Sequence, residues 1–256
     1  MNTITIAPPP KTAGPPIQKE TTAGNYFVAN YPPFAFWKAE AIPDFHAALD
    51  RAPVPGVPLG LYTHIPFCRK RCHFCYFRVY TDKDSSEIRN YLDALLKELT
   101  VYAGKPAIAG RKPKFIYFGG GTPSYLSPDQ LKFLTDGMKR LLPWDEAEEV
   151  TFEAEPGTLT DHKLQAIRDL GVTRLSLGIE HFDDHILEIN GRAHRSKEVA
   201  RAYAFAREIG FPQINIDLIA GMVEETEDKW RETVAKAVAL QPDSVTIYQI
   251  DRKSVV

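Results

Sequence analysis

Six short apolar runs, each followed by a stretch of helical periodicity, constrain this chain more than any other feature. The runs cover residues 59–65, 114–118, 149–154, 174–179, 213–219 and 244–250. Each is bounded by Gly, Pro or a charged turn, the pattern of strands buried between two layers. Residues 85–103, 127–142, 160–170, 196–209 and 226–240 read as the intervening helices, and 183–189 as a short additional one. Strands separated by helices need crossover connections, which are right-handed and produce a parallel sheet. The chain stops just after the sixth run, whereas a closed eight-stranded barrel needs roughly two more units. The expected fold is α/β, a partial, open parallel β/α barrel of about six βα units.

Local signals agree with this division. Ser127-Pro128 sets a capping hydroxyl before a proline in the first helical turn. Thr160-Asp161 opens another helix, and Gly171 and Gly210 stand where left-handed C-caps are expected. The first 58 residues are different: rich in Pro, Ala and polar residues, with Pro8-Pro9-Pro10 near the start. The domain division is therefore 1–58, an N-terminal arm, and 59–256, a core domain that ends early. The first twenty or so residues of the arm are expected to be disordered, because they bury too little apolar surface to offset ordering entropy. The aromatic patch from Tyr31 to Trp37 is expected to pack on the core, and Phe45 to Leu49 to form one helical turn. A formal net charge of -2 gives no electrostatic reason for a nucleic-acid partner. No apolar stretch is long enough to span a bilayer, and the N-terminus lacks a secretory pattern. A cytoplasmic location is the expectation, without a membrane or nucleic-acid partner.

The chain has 3 cysteines, Cys68, Cys72 and Cys75, all on the loop after the first predicted strand. An odd number packed into eight residues is no disulfide framework. In a reducing compartment the cluster C-x3-C-x2-C reads as a metal site. Thiolates are natural iron–sulfur ligands, and three of them leave one iron of a [4Fe-4S] cube open for a chelating ligand. A zinc site with His64 or His73 as fourth ligand stays open as an alternative, as do unbound thiols. The basic run Arg69-Lys70-Arg71 is expected to favour the thiolates by lowering cysteine pKa.

The segment Tyr62-Thr-His-Ile-Pro-Phe-Cys68, with the spacing that follows it, resembles the radical S-adenosyl-L-methionine (SAM) superfamily. Within it, the chain is similar to the oxygen-independent coproporphyrinogen III oxidase family. Four further matches follow in order, each at a predicted strand end: Phe118-Gly-Gly-Gly-Thr-Pro123, Phe152-Glu-Ala-Glu-Pro156, Leu175-Ser-Leu-Gly-Ile-Glu-His-Phe182 and Asn215-Ile-Asp-Leu-Ile219. The resemblance covers residues 59–250 and implies two cofactors, a [4Fe-4S] cluster on Cys68, Cys72 and Cys75 and SAM beside it. It places Gly120, Gly121 and Thr122 at the SAM amino group, and makes Glu153 a SAM ligand. It pairs Arg192 with the SAM carboxylate, a role suited to a guanidinium fork. It puts Asp217 near the ribose, and Phe74, Tyr62 and the backbone of Ile250 near adenine.

The resemblance also implies a reaction. An external electron donor such as a flavodoxin or ferredoxin reduces the cluster, SAM is cleaved to a 5′-deoxyadenosyl radical, and this takes a hydrogen atom from a small-molecule substrate. In the name-giving reaction the substrate is a porphyrinogen, whose propionate loses carbon dioxide. Two residues depart from the family pattern. Glu180 stands where the oxidases carry glutamine, so its contact with SAM must differ, since an ionised carboxylate cannot donate. Phe77 stands where they carry a further cysteine. These departures, with the missing C-terminal region, keep two alternatives in view: methylation or another radical transformation of a different substrate, and a haem-binding chaperone.

Overall fold

The computed structural model describes residues 38–250. The aromatic patch from Tyr31 to Trp37 lies outside the described residues. The chain divides into two units, Met1–Ala47 and Ala48–Val256. A 3-10 turn at Ala39–Ala41 precedes α1 (Ile42–Leu49), longer than the one turn expected there.

From Gly60 onward strands and helices alternate. The strands are β1 (Gly60–Ile65), β2 (Phe115–Gly120), β3 (Glu149–Ala154), β4 (Arg174–Glu180), β5 (Gln213–Ala220) and β6 (Ser244–Gln249). The helices are α2 (Ser85–Ala103), α3 (Pro128–Leu141), α4 (Asp161–Asp169), α5 (Asp184–Ile189), α6 (Ser196–Glu208) and α7 (Glu227–Leu240). The strands form one 6-stranded sheet in the order β1-β2-β3-β4-β5-β6, every neighbouring pair parallel, with β1 and β6 at its edges. This is the open parallel β/α sheet expected from the alternation.

Helix starts follow the side-chain chemistry. Asp84 and Glu87 make a reciprocal capping box on α2, and Ser127 and Gln130 make another on α3. Thr160, Asp183 and Thr226 cap α4, α5 and α7 through side-chain oxygens. Gly171 and Gly210 take positive φ just past α4 and α6, as left-handed C-caps do.

The central strands are buried on both faces, as the apolar runs suggested: Thr151, Ser176 and Asn215 are at most 4% exposed on the face opposite the aliphatic core. Ile116, Phe118, Phe152, Leu175, Leu177, Ile214 and Ile216 are at most 1% exposed and pack against the helices. The alternate positions carry Tyr62, Tyr117, Glu153, Ser176, Asp217, Thr246 and Tyr248. Glycines and small polar residues inside apolar strands disguised this period-2 alternation. Among the described residues, no helix is long and apolar enough to cross a membrane.

Candidate functional site

The cysteine loop leaves β1 at the sheet's C-terminal end and is folded back by its own backbone. Cys68 N–H donates to Tyr80 O (2.9 Å), and Tyr80 N–H donates to Pro66 O (2.8 Å). Arg69 then fastens the loop to two distant segments, through Nη1 to Gly157 O (3.1 Å) and Nη2 to Ala193 O (2.7 Å). His73 fastens the other end, its N–H donating to Asn190 O (3.1 Å) and its Nδ1 lying 2.9 Å from Ile189 O.

This arrangement brings the three thiols to the wall of one cavity of about 90 Å³, lined also by Gly120, Gly121, Thr122, Glu155 and Arg192. Cys68 is buried, and Thr122 Oγ1 donates to its Sγ at 3.4 Å. Gly121 has no room for a side chain, since a Cβ would stand 2.9 Å from Cys68 Sγ and 3.0 Å from Ile65 O. Gly120 has a φ of +113°, and a Cβ there would meet the His64 ring at 2.7 Å. The glycine turn is thus the condition for β2 to approach the cysteine loop.

Of the basic run, Arg71 lowers the Cys75 pKa as expected, but burial outweighs it. Burial pushes both Cys68 and Cys75 up, outweighing Arg192 near Cys68 and Arg71 and Arg192 near Cys75. Arg69 is committed to carbonyls instead. Buried thiols of this kind lose their protons to a coordinated metal rather than to neighbouring cations. Among the described residues, no three His, Cys, Asp or Glu side chains converge on a position for one metal ion. Neither His64, whose Nδ1 lies 2.9 Å from Tyr62 Oη, nor His73 lines the cavity. Three thiols spread around one cavity suit a cube of several irons better than a single tetrahedral ion.

The polar face of the sheet meets the cavity wall at Gly120. Tyr117 Oη donates to Glu153 Oε1 (2.6 Å), and Gly120 N–H donates to Glu153 Oε2 (3.2 Å). Burial raises the Glu153 pKa, against the pull of the Tyr117 hydrogen bond. Asp217 accepts from Ser176 Oγ (2.9 Å) and Asn215 Nδ2 (2.9 Å), and it too is pushed up by burial. Tyr62 leans on Tyr117 with ring centroids 6.0 Å apart and remains 57% exposed.

Arg192 is largely buried, its side chain 11% exposed, and donates from Nη1 to Cys72 Sγ (3.3 Å) and from Nη2 to Gly178 O (2.7 Å). Its Nε has no partner. Burial opposes its charge, but Glu180, Cys72 and Glu155 hold its pKa above the ordinary value. Phe74 and Ile250 pack with Ile189 around the apolar cluster of Ile186, Ile219 and Met222. The Ile250 N–H donates to Ala220 O (2.9 Å). Its carbonyl and side chain remain for the expected contact.

Four site residues were given no role from the sequence, although Glu155 and Ser176 lie inside the quoted motifs. Glu155 is buried on the cavity wall, accepts from Gly157 N–H (3.0 Å) and lies 2.9 Å from His194 Nδ1. His194 Nε2 faces Ile179 O at 3.0 Å. Tyr117 and Ser176 orient the two acids of the polar face. The period-2 polar positions inside apolar runs would have identified Tyr117 and Ser176. The Glu155–His194 pair spans 39 residues and leaves no local pattern.

Comparison with known proteins places the arrangement. The sequence matches the radical SAM superfamily over residues 62–237. The heme chaperone HemW of Bacillus subtilis (strain 168) is 37% identical over 193 residues, 74% of this chain and 49% of that protein. The oxygen-independent coproporphyrinogen III oxidase of Escherichia coli (strain K12) is 32% identical over 194 residues, 76% of this chain and 42% of that protein. The chain thus spans about half the length of the curated relatives it matches. The solved structure of coproporphyrinogen III oxidase (HemN) from Escherichia coli, described as a radical SAM enzyme, superposes with a TM-score of 0.75 at 31% identity. That match covers 84% of this chain and 48% of the other. The chain therefore belongs to the radical SAM superfamily, whose members use a [4Fe-4S] cluster and SAM.

Proposed function

We propose that residues 59–250 form the cofactor-binding core of a radical SAM oxidoreductase acting on a porphyrinogen. The observation that carries this reading is the single cavity shared by Cys68, Cys72, Cys75, the Gly120–Gly121–Thr122 turn and Arg192. The three thiolates would hold a [4Fe-4S] cluster beside SAM, and the bound cofactors would supply one-electron cleavage of SAM and radical hydrogen abstraction.

The chain's own groups bind, orient and exclude water. In the glycine turn, the N–H groups of Gly120, Gly121 and Thr122 are already committed to Glu153, Ile65 O and Phe67 O. What the turn has left to offer is acceptors, which suits the ammonium of SAM. Glu153 lies next to that turn and adds a second acceptor. The unpartnered Nε of Arg192 suits a carboxylate, with Glu180 beside it. Asp217, held by Ser176 and Asn215, suits ribose hydroxyls. Phe74 and Ile250 present apolar surface for adenine, with Tyr62 on the opposite edge strand. An external one-electron donor, a flavodoxin or ferredoxin, completes the reading, and the location is cytoplasmic.

The test is anaerobic cluster reconstitution followed by SAM cleavage with dithionite. 5′-Deoxyadenosine is expected from the wild type and not from Cys68→Ala, Cys72→Ala or Cys75→Ala. A fully reconstituted wild type that cleaves no SAM rules the reading out. A second reading, a haem chaperone, is favoured by the 37% identity to the heme chaperone of Bacillus subtilis. Phe77, which stands where the oxidases carry a further cysteine, weakens the transfer of the decarboxylase activity. Haem titration set against coproporphyrinogen III turnover separates the two: tight haem binding without turnover supports the chaperone.

A further inference from the structure

Glu180 departs from the family pattern and also sits in a strained place. It follows an irregularity in β4 between Gly178 and Glu180, has a φ of 67° and is 9% exposed. A non-glycine residue in the left-handed region persists only where its surroundings over-determine it. Here the surroundings are Arg192, whose Nη2 lies 3.5 Å from Glu180 Oε1. Gly178 makes the room for the pair, since a Cβ there would stand 2.9 Å from Glu180 Oε1 and 3.4 Å from Arg192 Nη2. The guanidinium donates to Cys72 Sγ and Gly178 O, and its Nε is buried without a partner. Arg192 is therefore equipped to receive a carboxylate while an internal carboxylate already stands against it.

We propose that Glu180 is a specificity-determining residue: it holds Arg192 as an internal carboxylate, and a ligand carboxylate engages Arg192 only as Glu180 takes up a proton from solvent. The inference rests on the reading above, in which that ligand is SAM. Two ionised carboxylates around one buried guanidinium leave a negative charge uncompensated, which is costly away from water. A proton on Glu180 removes that charge and turns one of its oxygens into a donor. The groups facing Glu180 favour the same outcome. Burial pushes its pKa up, Arg192 opposes, and Asp217, Glu153 and Glu155 add their repulsion, leaving it at about 7. The Cys72 thiol lies on the far side of Arg192. A glutamine at this position would meet the ligand without any proton uptake.

The test uses the reconstituted, cluster-containing protein and measures SAM binding calorimetrically between about pH 6 and about pH 9, in buffers of different ionisation enthalpy. For the wild type, Kd is expected to rise about tenfold per pH unit above neutrality relative to Glu180→Gln, with about one extra proton taken up per SAM bound. Glu180→Gln is expected to bind SAM more tightly at alkaline pH. 5′-Methylthioadenosine, which lacks the carboxylate, is expected to bind both proteins alike at every pH. Equal SAM affinity, pH profile and proton uptake in the two proteins overturns the proposal, and the wild-type proton count tests it without any variant. A protein that holds the cluster yet binds SAM in neither form overturns the proposed function, and this inference falls with it.

Discussion

The two faces of the sheet are made by the same strands and differ by a shift of one residue. Toward the helices, β2 to β5 present Phe118, Phe152, Leu177 and Ile216, all at most 1% exposed. On the other face the same strands present Tyr117, Glu153, Ser176 and Asp217, linked by hydrogen bonds rather than by packing alone. The first face is close-packed, so removed volume is felt directly as lost stability. The second holds acids whose pKa values burial raises, which is costly for the fold and useful for a ligand with positive and hydroxyl groups. Close packing and a hydrogen-bonded set of acids thus lie on opposite sides of one sheet.

Each expected outcome below breaks or sharpens that contrast. The largest effect belongs to the cysteines: Cys72→Ala should abolish iron binding and 5′-deoxyadenosine formation, as read by iron content and product analysis. Next comes the packed face, where Phe152→Ala should cost about 3–5 kcal/mol in denaturant unfolding. A cost under about 1 kcal/mol would mean that the face is not the core.

On the polar face, Tyr117→Phe removes the 2.6 Å hydrogen bond to Glu153. It should weaken SAM binding about tenfold while changing folding stability by less than about 1 kcal/mol. A stability loss as large as that of Phe152→Ala would erase the distinction between the faces.

Glu180 contributes a pH dependence of folding. Its folded pKa, raised by burial from 4.5 to about 7, lies above that of the unfolded chain. The unfolded chain therefore releases this proton first as pH rises. The contribution to stability is full below 4.5 and declines until pH passes about 7. Glu180→Gln should flatten the fall in unfolding free energy across that window, measured by denaturant titration at several pH values. The smallest effect is expected at a cap far from the cavity. Asp84→Ala should cost about 1 kcal/mol and leave SAM binding unchanged.

The fold was legible because periodicity and caps are local. The expected helix 85–103 has the observed bounds of α2, and Thr160 and Thr226 proved to be caps at the expected starts. The cysteine loop and the glycine turn were legible for a similar reason, being short contiguous motifs that the fold brings to one cavity. The engagement of Arg69 with Gly157 and Ala193 was not legible, because these partners lie 88 and 124 residues away in sequence. The pairing of Glu155 with His194 escaped notice for the same reason.

By itself, the sequence determined the alternation of strands and helices, the parallel open sheet, and the placement of three cysteines beside a glycine turn. These follow from side-chain period, backbone freedom and short-range capping. Only the tertiary structure decided that Glu180 stands against Arg192, that Arg192 donates to Cys72, and that burial outweighs nearby cations at Cys68 and Cys75. Such facts depend on which distant groups share a low-dielectric space, and proximity along the chain carries no information about that.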